Sequence, residues 1–159
     1  MAEEFRRALR TLTYGLYVVT SRVGEEIAAA AVNFLTQTSF KPPLVVTALK
    51  RGSRLQEVVE ASGAFAVSVL AADQKAIAAD FFKPLSVMGG LLNGHKARPS
   101  RTLSIPVLEE APAWFECRIE GKLDIGDHVI YVGRVVDGQL VREAPRYLVM
   151  WDTGWYYGG

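Results

Sequence analysis

Cysteine is almost absent from this chain of 159 residues, which contains only Cys117. One cysteine cannot form an intramolecular disulfide or a cysteine cage for a metal, and its scarcity is typical of a reducing compartment. The two histidines, His95 and His128, lie far apart in the sequence and add no recognisable ligand set. The sequence therefore predicts no metal site.

Excess charge of either sign is also missing. The chain has 18 Lys and Arg against 17 Asp and Glu, so its formal net charge is +1. Such a balance gives no general attraction to nucleic acids or acidic membranes. No apolar run approaches the roughly 20 residues that span a bilayer, and the acidic start of the chain is unlike a signal peptide. We expect a cytoplasmic protein that binds neither nucleic acid nor membrane.

Two nucleotide-binding signatures are absent as well. The sequence contains no G-x-G-x-x-G and no G-x-x-x-x-G-K-[ST], which argues against a Rossmann or P-loop fold. What the chain does have is a hydrophobic content of 50% and a length that suits one domain over residues 1–159.

Hydrophobic patterning predicts mostly strands, arranged as hairpins. Strands are predicted at 16–20, 27–34, 44–49, 65–70, 114–123, 128–136 and 147–151. A further short strand is predicted directly after a turn at 137–138. Helices are predicted at 5–12, 53–62 and 73–82, and residues 83–106 read as one long loop. The alanines at 28–31 favour helix by propensity, against the hairpin pattern. We expect a mainly β fold, a closed antiparallel barrel with peripheral helices.

The segment from Lys50 to Gln56 predicts a helix N-terminus that could hold a phosphate. Ser53 and Gln56 have the spacing of a capping box, and Gly63 is placed to end the helix. The free amides of a first helical turn attract anions, and Lys50, Arg51 and Arg54 surround this one. A capped surface helix beside solvated cations is the alternative interpretation.

Two further segments carry polar groups suited to a planar ligand. Residues 31–40 alternate small side chains with Asn33, Gln37 and hydroxyl groups, which could hydrogen-bond along the edge of a flavin or simply pair with one another on a solvated strand. His128 starts an apolar strand after Gly126-Asp127, where it could face a ligand or only stabilise the turn. The aromatic residues Trp151, Trp155, Tyr156 and Tyr157 are interpreted as core or interface, with stacking over a ring system as the alternative.

Taken in order, these segments resemble the flavin reductase family of FMN-binding split barrels, which includes the reductase components of two-component monooxygenases. The resemblance extends from about Phe5 to Tyr156. It is carried by residues 15–20, Ala31-Val32-Asn33, residues 39–44, Ser53, residues 63–70, Gln74, Phe81, Cys117 and residues 126–135.

The resemblance implies a six-stranded Greek-key barrel, a homodimer, and FMN, or FAD, near the subunit boundary. It also implies hydride transfer from NADH or NADPH to the flavin, which then supplies a partner such as a monooxygenase. The implied site residues are Ala31, Val32 and Asn33 at the flavin edge with Gln37, Thr38 and Ser39 nearby, Lys50, Arg51, Ser53 and Arg54 at the phosphate, and His128 beside flavin and nicotinamide.

The sequence departs from the family pattern at two of these positions. Phe34 follows Asn33 where the family usually has a small hydroxyl residue, and Ala31 stands where Thr or Ser is common. Two other functions remain open at this point: an FMN-binding electron carrier without nicotinamide turnover, and a barrel that binds a ligand or partner without redox chemistry.

Overall fold

Seven strands form one antiparallel sheet in the computed structural model of the chain, which describes residues 1–158. The strands in chain order are β1 (Tyr17–Val23), β2 (Glu26–Val32), β3 (Leu35–Phe40), β4 (Pro43–Lys50), β5 (Ala64–Val69), β6 (Val87–Met88), β7 (Leu91–Leu92), β8 (His95–Pro99), β9 (Pro106–Leu108), β10 (Ala113–Leu123) and β11 (His128–Leu140). The large sheet has the order β2-β1-β5-β10-β11-β4-β3, and β6 to β9 form a second, small sheet.

Chain connectivity rolls the large sheet into a barrel. Its two edge strands, β2 and β3, are consecutive in the sequence and are joined only by Asn33 and Phe34. Three steps of extended chain reach about 10 Å, so the two edges of the sheet must meet at this linker. The Phe34 carbonyl accepts hydrogen bonds from the Ala48 amide at 3.0 Å and the Thr47 hydroxyl at 2.9 Å. The predicted mainly β, antiparallel fold is confirmed.

Four helices lie around this sheet: α1 (Ala2–Leu9), α2 (Arg54–Ser62), α3 (Lys75–Asp80) and α4 (Met150–Thr153). Leu55, Val58 and Val59 of α2 are buried in the same core as the barrel interior. Each such aliphatic side chain contributes about 1.5–3 kcal/mol when fully buried. Gly63 ends α2 in the left-handed conformation at φ 68°, as predicted. Within residues 1–158, no helix combines the length and apolar character needed to cross a bilayer.

The four alanines at 28–31 form part of β2, against their helix propensity. They pair with β1 in continuous antiparallel register from Ala28 opposite Ser21 to Ala31 opposite Val18. Ala28 is buried in the main core cluster with residues of α2. Small side chains let a strand lie close beneath a helix, and this packing outweighs a propensity difference of a few tenths of a kcal/mol per residue.

Several element predictions were wrong. Residues 83–106 are not one loop, because β6, β7 and β8 lie within them and β9 begins at their end. The turn predicted at 137–138 is absent, since β11 continues through it to Leu140. Residues 147–151 form no strand, only single bridges from Tyr147 and Val149, before α4 begins. The strand β3 was given no bounds of its own and stood only as the solvated-strand interpretation of residues 31–40.

His95 attaches the small sheet to its surroundings. Its Nε2 lies 2.7 Å from Asp80 at the end of α3, and its Nδ1 lies 3.1 Å from Glu110. Burial lowers the pKa of His95, but the hydrogen bonds and charges of the two carboxylates outweigh this effect, and the net pKa is raised. His95 therefore has structural partners away from the seam of the barrel.

A buried carboxylate organises the loop that links β8 to β9. Glu116 on β10 is fully buried and accepts a short hydrogen bond from the Ser100 hydroxyl. It also accepts from the amides of Thr102 at 2.7 Å and Leu103 at 2.9 Å. One side chain thus satisfies three donors that would otherwise lack partners, as buried polar groups require.

We predict that Glu116→Ala lowers the free energy of unfolding by about 2–4 kcal/mol, because it removes the acceptor for three donors at a buried position. Urea denaturation followed by tryptophan fluorescence measures this change. Glu120→Ala on the same strand is the matched control, since Glu120 is exposed and pairs with Arg134 at the surface. Equal losses for both variants would contradict the structural role given to Glu116.

Candidate functional site

A pocket of about 150 Å³ lies at the seam where the two edges of the rolled sheet meet. It is bounded by β2, the end of β4, the start of α2, the start of β11 and the segment after α4. Six predicted site residues line it, namely Ala31, Val32, Asn33, Lys50, Ser53 and His128. The fold thus brings together residues that lie far apart in the sequence.

The N-terminus of α2 opens beside this pocket. Ser53 is the N-cap, with its hydroxyl accepting from the Gln56 amide at 3.2 Å. The predicted reciprocal bond differs: the Gln56 side-chain oxygen accepts from the Gly52 amide at 3.1 Å, because the Ser53 amide already donates to the Lys50 carbonyl at 3.1 Å. First-turn amides of a helix have no carbonyl within the helix to bond, so an anion can be held there.

Strand pairing places His128 next to this helix terminus. His128 begins β11 directly opposite Lys50, the last residue of β4. The pairing continues into the turn, where the Arg51 amide donates to the Asp127 carbonyl at 2.9 Å. Because β4 leads through a tight turn into α2, the same register fixes both His128 and Ser53 at one end of the sheet.

His128 is held between an acid and a phenol. Its Nδ1 lies 2.8 Å from the Asp127 carboxylate and its Nε2 lies 2.6 Å from the Tyr157 hydroxyl. In the neutral imidazole, Nδ1–H donates to the carboxylate, and Nε2 accepts from the phenol. The hydrogen bond and charge of His128 lower the pKa of Asp127, and burial, with Asp127, raises the pKa of Tyr157. The phenol therefore stays protonated and donating at neutral pH.

Four aromatic rings pack together beside the pocket, and two of them, His128 and Tyr157, line it. Phe34 is the centre of this group, with ring centroids 5.2 Å from His128, 5.4 Å from Tyr157 and 5.4 Å from Tyr14. His128 and Tyr157 meet edge to face at 5.5 Å. Such tilted and edge-on pairs are the favoured geometries of aromatic contacts.

Two of the cations predicted near the phosphate have protein partners instead of lining the pocket. The Arg51 guanidinium pairs with Asp124 and donates to the Gly126 carbonyl at 2.5 Å, which braces the turn before His128. Arg54 pairs with Glu26, and lies 3.7 Å from Glu57. Lys50 is therefore the cation that lines the pocket directly.

The polar residues predicted from β3 also lie away from this pocket. Gln37 lines a different, mainly apolar groove of about 620 Å³, together with Tyr17 and Phe115. Thr38 and Ser39 do not line the pocket at the seam, and the Gln37 side chain donates to the Ser39 carbonyl at 3.1 Å. A contact of these three residues with a flavin stays a prediction from the family resemblance.

The pocket-lining residues that sequence reasoning did not place in the site include Phe82, Met150 and Tyr157. The aromatic residues after 150 were interpreted as core or interface, with stacking over a ring system only as the alternative. The contacts of Tyr157 with Asn33 and His128 join positions far apart in the chain, and no local pattern encodes them. Only the unusual density of aromatic residues in this segment could have drawn attention to it.

Together these features define a small antiparallel β-barrel with a ligand pocket at its seam. Residues 9–159 match the family model for the flavin reductase-like domain. The chain is 33% identical over 156 residues to the NADH-dependent flavin reductase StyB of Pseudomonas fluorescens, covering 96% of this chain and 87% of that one.

Two further proteins show the same relationship. The 4-hydroxyphenylacetate 3-monooxygenase reductase component of Thermus thermophilus is 31% identical over 157 residues, covering 98% of this chain and 95% of that one. The crystal structure of the NADH:FAD oxidoreductase SgcE6 of Streptomyces globisporus, in complex with NAD and FAD fragments, superposes with a TM-score of 0.80 at 26% identity, covering 96% and 89%. The chain belongs to the flavin reductase-like family, which confirms the resemblance identified from the sequence.

Proposed function

We propose that this chain is an NAD(P)H-dependent flavin oxidoreductase that holds FMN, or FAD, in the pocket at the barrel seam. The observation that carries the proposal is the meeting of Lys50, the Ser53 helix terminus, Asn33 and His128 around one cavity. StyB is an NADH-dependent flavin reductase and SgcE6 is an NADH:FAD oxidoreductase, so turnover is favoured over an electron carrier or a barrel without redox chemistry.

The donor set of the pocket fits a flavin nucleotide. A phosphate fits at the start of α2, where backbone amides and the Lys50 ammonium supply donors and positive charge. The ring system fits at Ala31, Val32 and Asn33, whose small or apolar side chains allow close approach, while the Asn33 amide donates from a buried position. A bound flavin would supply the redox chemistry, accepting hydride from the nicotinamide, and the protein supplies position and electrostatics.

The Ala31 amide is already used in this structure, since it donates to the Phe81 carbonyl at 3.0 Å. Contact at Ala31 would therefore come from its methyl group and carbonyl edge. This leaves Asn33 as the side chain best placed to hydrogen-bond a planar ligand. His128 would orient the nicotinamide or stabilise charge at the ring, through Nε2.

We predict that the double variant Lys50→Gln, Ser53→Ala weakens FMN binding by about ten- to a hundredfold and riboflavin binding much less. The change removes the Lys50 ammonium and the Ser53 hydroxyl, donors that only the phosphate uses and that together are worth about 1.5–3 kcal/mol. Quenching of flavin fluorescence on titration gives both dissociation constants. Lys41→Gln, an exposed cation outside the pocket, is the control. Equal loss for FMN and riboflavin would show that the phosphate lies elsewhere.

We predict that His128→Ala slows flavin reduction by NADH or NADPH about tenfold or more, without weakening flavin binding. The variant removes one oriented hydrogen bond near the reacting rings and leaves the phosphate anchor intact. The loss of absorbance at about 450 nm, the oxidised flavin band, measures the reaction under anaerobic conditions. His95→Gln is the matched control, since the other histidine lies with Asp80 and Glu110. An unchanged rate in His128→Ala would remove its assigned role.

The partners are proposed as a second copy of this chain and an acceptor of reduced flavin, such as a monooxygenase. The Thermus relative is the reductase component of a monooxygenase, which supports the second partner. A homodimer is supported by α1, which buries none of its residues and leaves Phe5 55% and Leu9 46% exposed. An uncovered amphipathic helix of this kind is typical of an interface. A cytoplasmic location remains a prediction from the sequence.

We predict that the wild-type chain has a mass in solution of twice that of one chain. In the double variant Phe5→Glu, Leu9→Glu the mass should fall to that of one chain. A charge on the apolar side of α1 would have to be desolvated on association, which is unfavourable. Light scattering after size exclusion measures the mass. Arg6→Glu, on the same helix, is the control for the added charge. A wild-type chain that elutes as a monomer at all concentrations would exclude the dimer.

A further inference from the structure

The segment after α4 crosses the mouth of the seam pocket from a fixed base. Gly154 turns the chain in the left-handed conformation at φ 77°, and the Trp155 amide donates to the Thr153 hydroxyl at 3.0 Å. The Trp155 ring packs edge-on against Phe82 at 5.1 Å, with the Lys75 ammonium 4.5 Å from its centroid. Trp155 is therefore held on two sides.

Beyond Trp155 the segment is held lightly. Tyr156 is 69% exposed and contacts the Arg10 guanidinium at 4.5 Å. Within residues 1–158, Tyr157 has two hydrogen bonds: its hydroxyl with His128 at 2.6 Å and its carbonyl with the Asn33 amide at 3.5 Å. The Tyr157 ring also contacts Phe34 and His128. Each of these contacts is individually weak, and Tyr157 is 45% exposed, so the segment can be displaced.

Tyr157 also limits the size of the pocket. It lines both the seam pocket of about 150 Å³ and a neighbouring cleft of about 250 Å³ that Arg10, Leu12 and Tyr14 help to form. Pockets that take small organic ligands measure about 300–1,000 Å³. Each cavity alone falls below this range, and the two would reach it if the ring between them moved.

The groups that Tyr157 occupies are the ones a planar ligand needs. Its carbonyl accepts a hydrogen bond from the Asn33 side-chain amide, and its hydroxyl donates to Nε2 of His128, while its ring lies against Phe34. A phenol is itself a planar ring with a polar edge, so it satisfies this site in the same way as a nitrogen heterocycle would. The neutral imidazole has one lone pair at Nε2, so a ligand and Tyr157 cannot both bond His128 there.

We propose that Tyr157 is a self-competing gate, which occupies the ring site of the pocket and must leave before a flavin or nicotinamide ring can bind. The inference rests on the proposed function, because it takes the seam pocket as the site of both rings. Displacement frees the Asn33 amide and His128 Nε2 together. Since only the open form binds, the apparent dissociation constant is the intrinsic one divided by the open fraction.

The test is the effect of Tyr157→Ala in the full chain on binding and on reduction. We expect the dissociation constant for FMN to fall about tenfold, because the variant removes the competing ring and hydroxyl. For Tyr157→Phe, which keeps the ring and loses the hydroxyl, we expect the dissociation constant for FMN to fall about threefold. The matched control is Phe40→Ala, expected to change binding by no more than about twofold, since this aromatic side chain is 85% exposed and lines neither cavity.

Two measurements show which ring the gate excludes. The first is the dissociation constant from the FMN titration, and the second is the NADH concentration that gives half-maximal reduction when FMN is saturating. A fall in either value for Tyr157→Ala supports the gate and names the ring that it excludes. Values that stay unchanged or rise in both measurements overturn it, because Tyr157 would then be indifferent or a binding residue.

Failure of the wider proposal gives a different result. Wild-type chain that takes up no FMN at any concentration would refute the flavin site itself, and the gate with it. If Tyr157→Ala does not fold, as judged by its urea midpoint, Tyr157→Phe decides the question, since it keeps the ring packed against Phe34.

Discussion

The two-residue connection between β2 and β3 is the constraint on which the rest of this structure depends. These strands are the opposite edges of a seven-stranded sheet, and the linker of Asn33 and Phe34 holds their adjoining ends together. The sheet must therefore roll, which creates both a buried core inside and a seam with unpaired strand edges. Strand edges are where a protein can offer backbone and side-chain groups to a ligand without breaking its own pairing. The pocket lies at this seam.

A second consequence concerns the distribution of positive charge. Three cations lie close to the start of α2, yet Arg51 and Arg54 are paired with carboxylates of the protein. Exposed pairs of this kind add little to stability, but they fix where the side chains point. Arg51 braces the turn that carries His128, so one cation orients the histidine while Lys50 lines the pocket. Residues next to each other in the sequence thus serve different purposes.

The chain also satisfies its own site. Asn33 is buried, and a buried amide without a partner costs free energy. The tyrosine that reaches it from the other end of the chain supplies that partner and bonds His128 at the same time. Buried polar groups that could bind a planar ligand need a partner when no ligand is bound, and Tyr157 removes the free-energy cost of leaving Asn33 unpaired. Tyr157 then competes with the ligand.

What the sequence determined was local. The caps of α2 at Ser53 and Gly63, the apolar strands around Val67 and Val129, and the segments typical of the flavin reductase-like family are all encoded by neighbouring residues. Tertiary structure alone decided that Glu116 would be buried and that Tyr157 would meet His128. Each of these depends on contacts between distant residues, whose free energies appear only when the sheet has closed and have no period or spacing in the sequence to predict them.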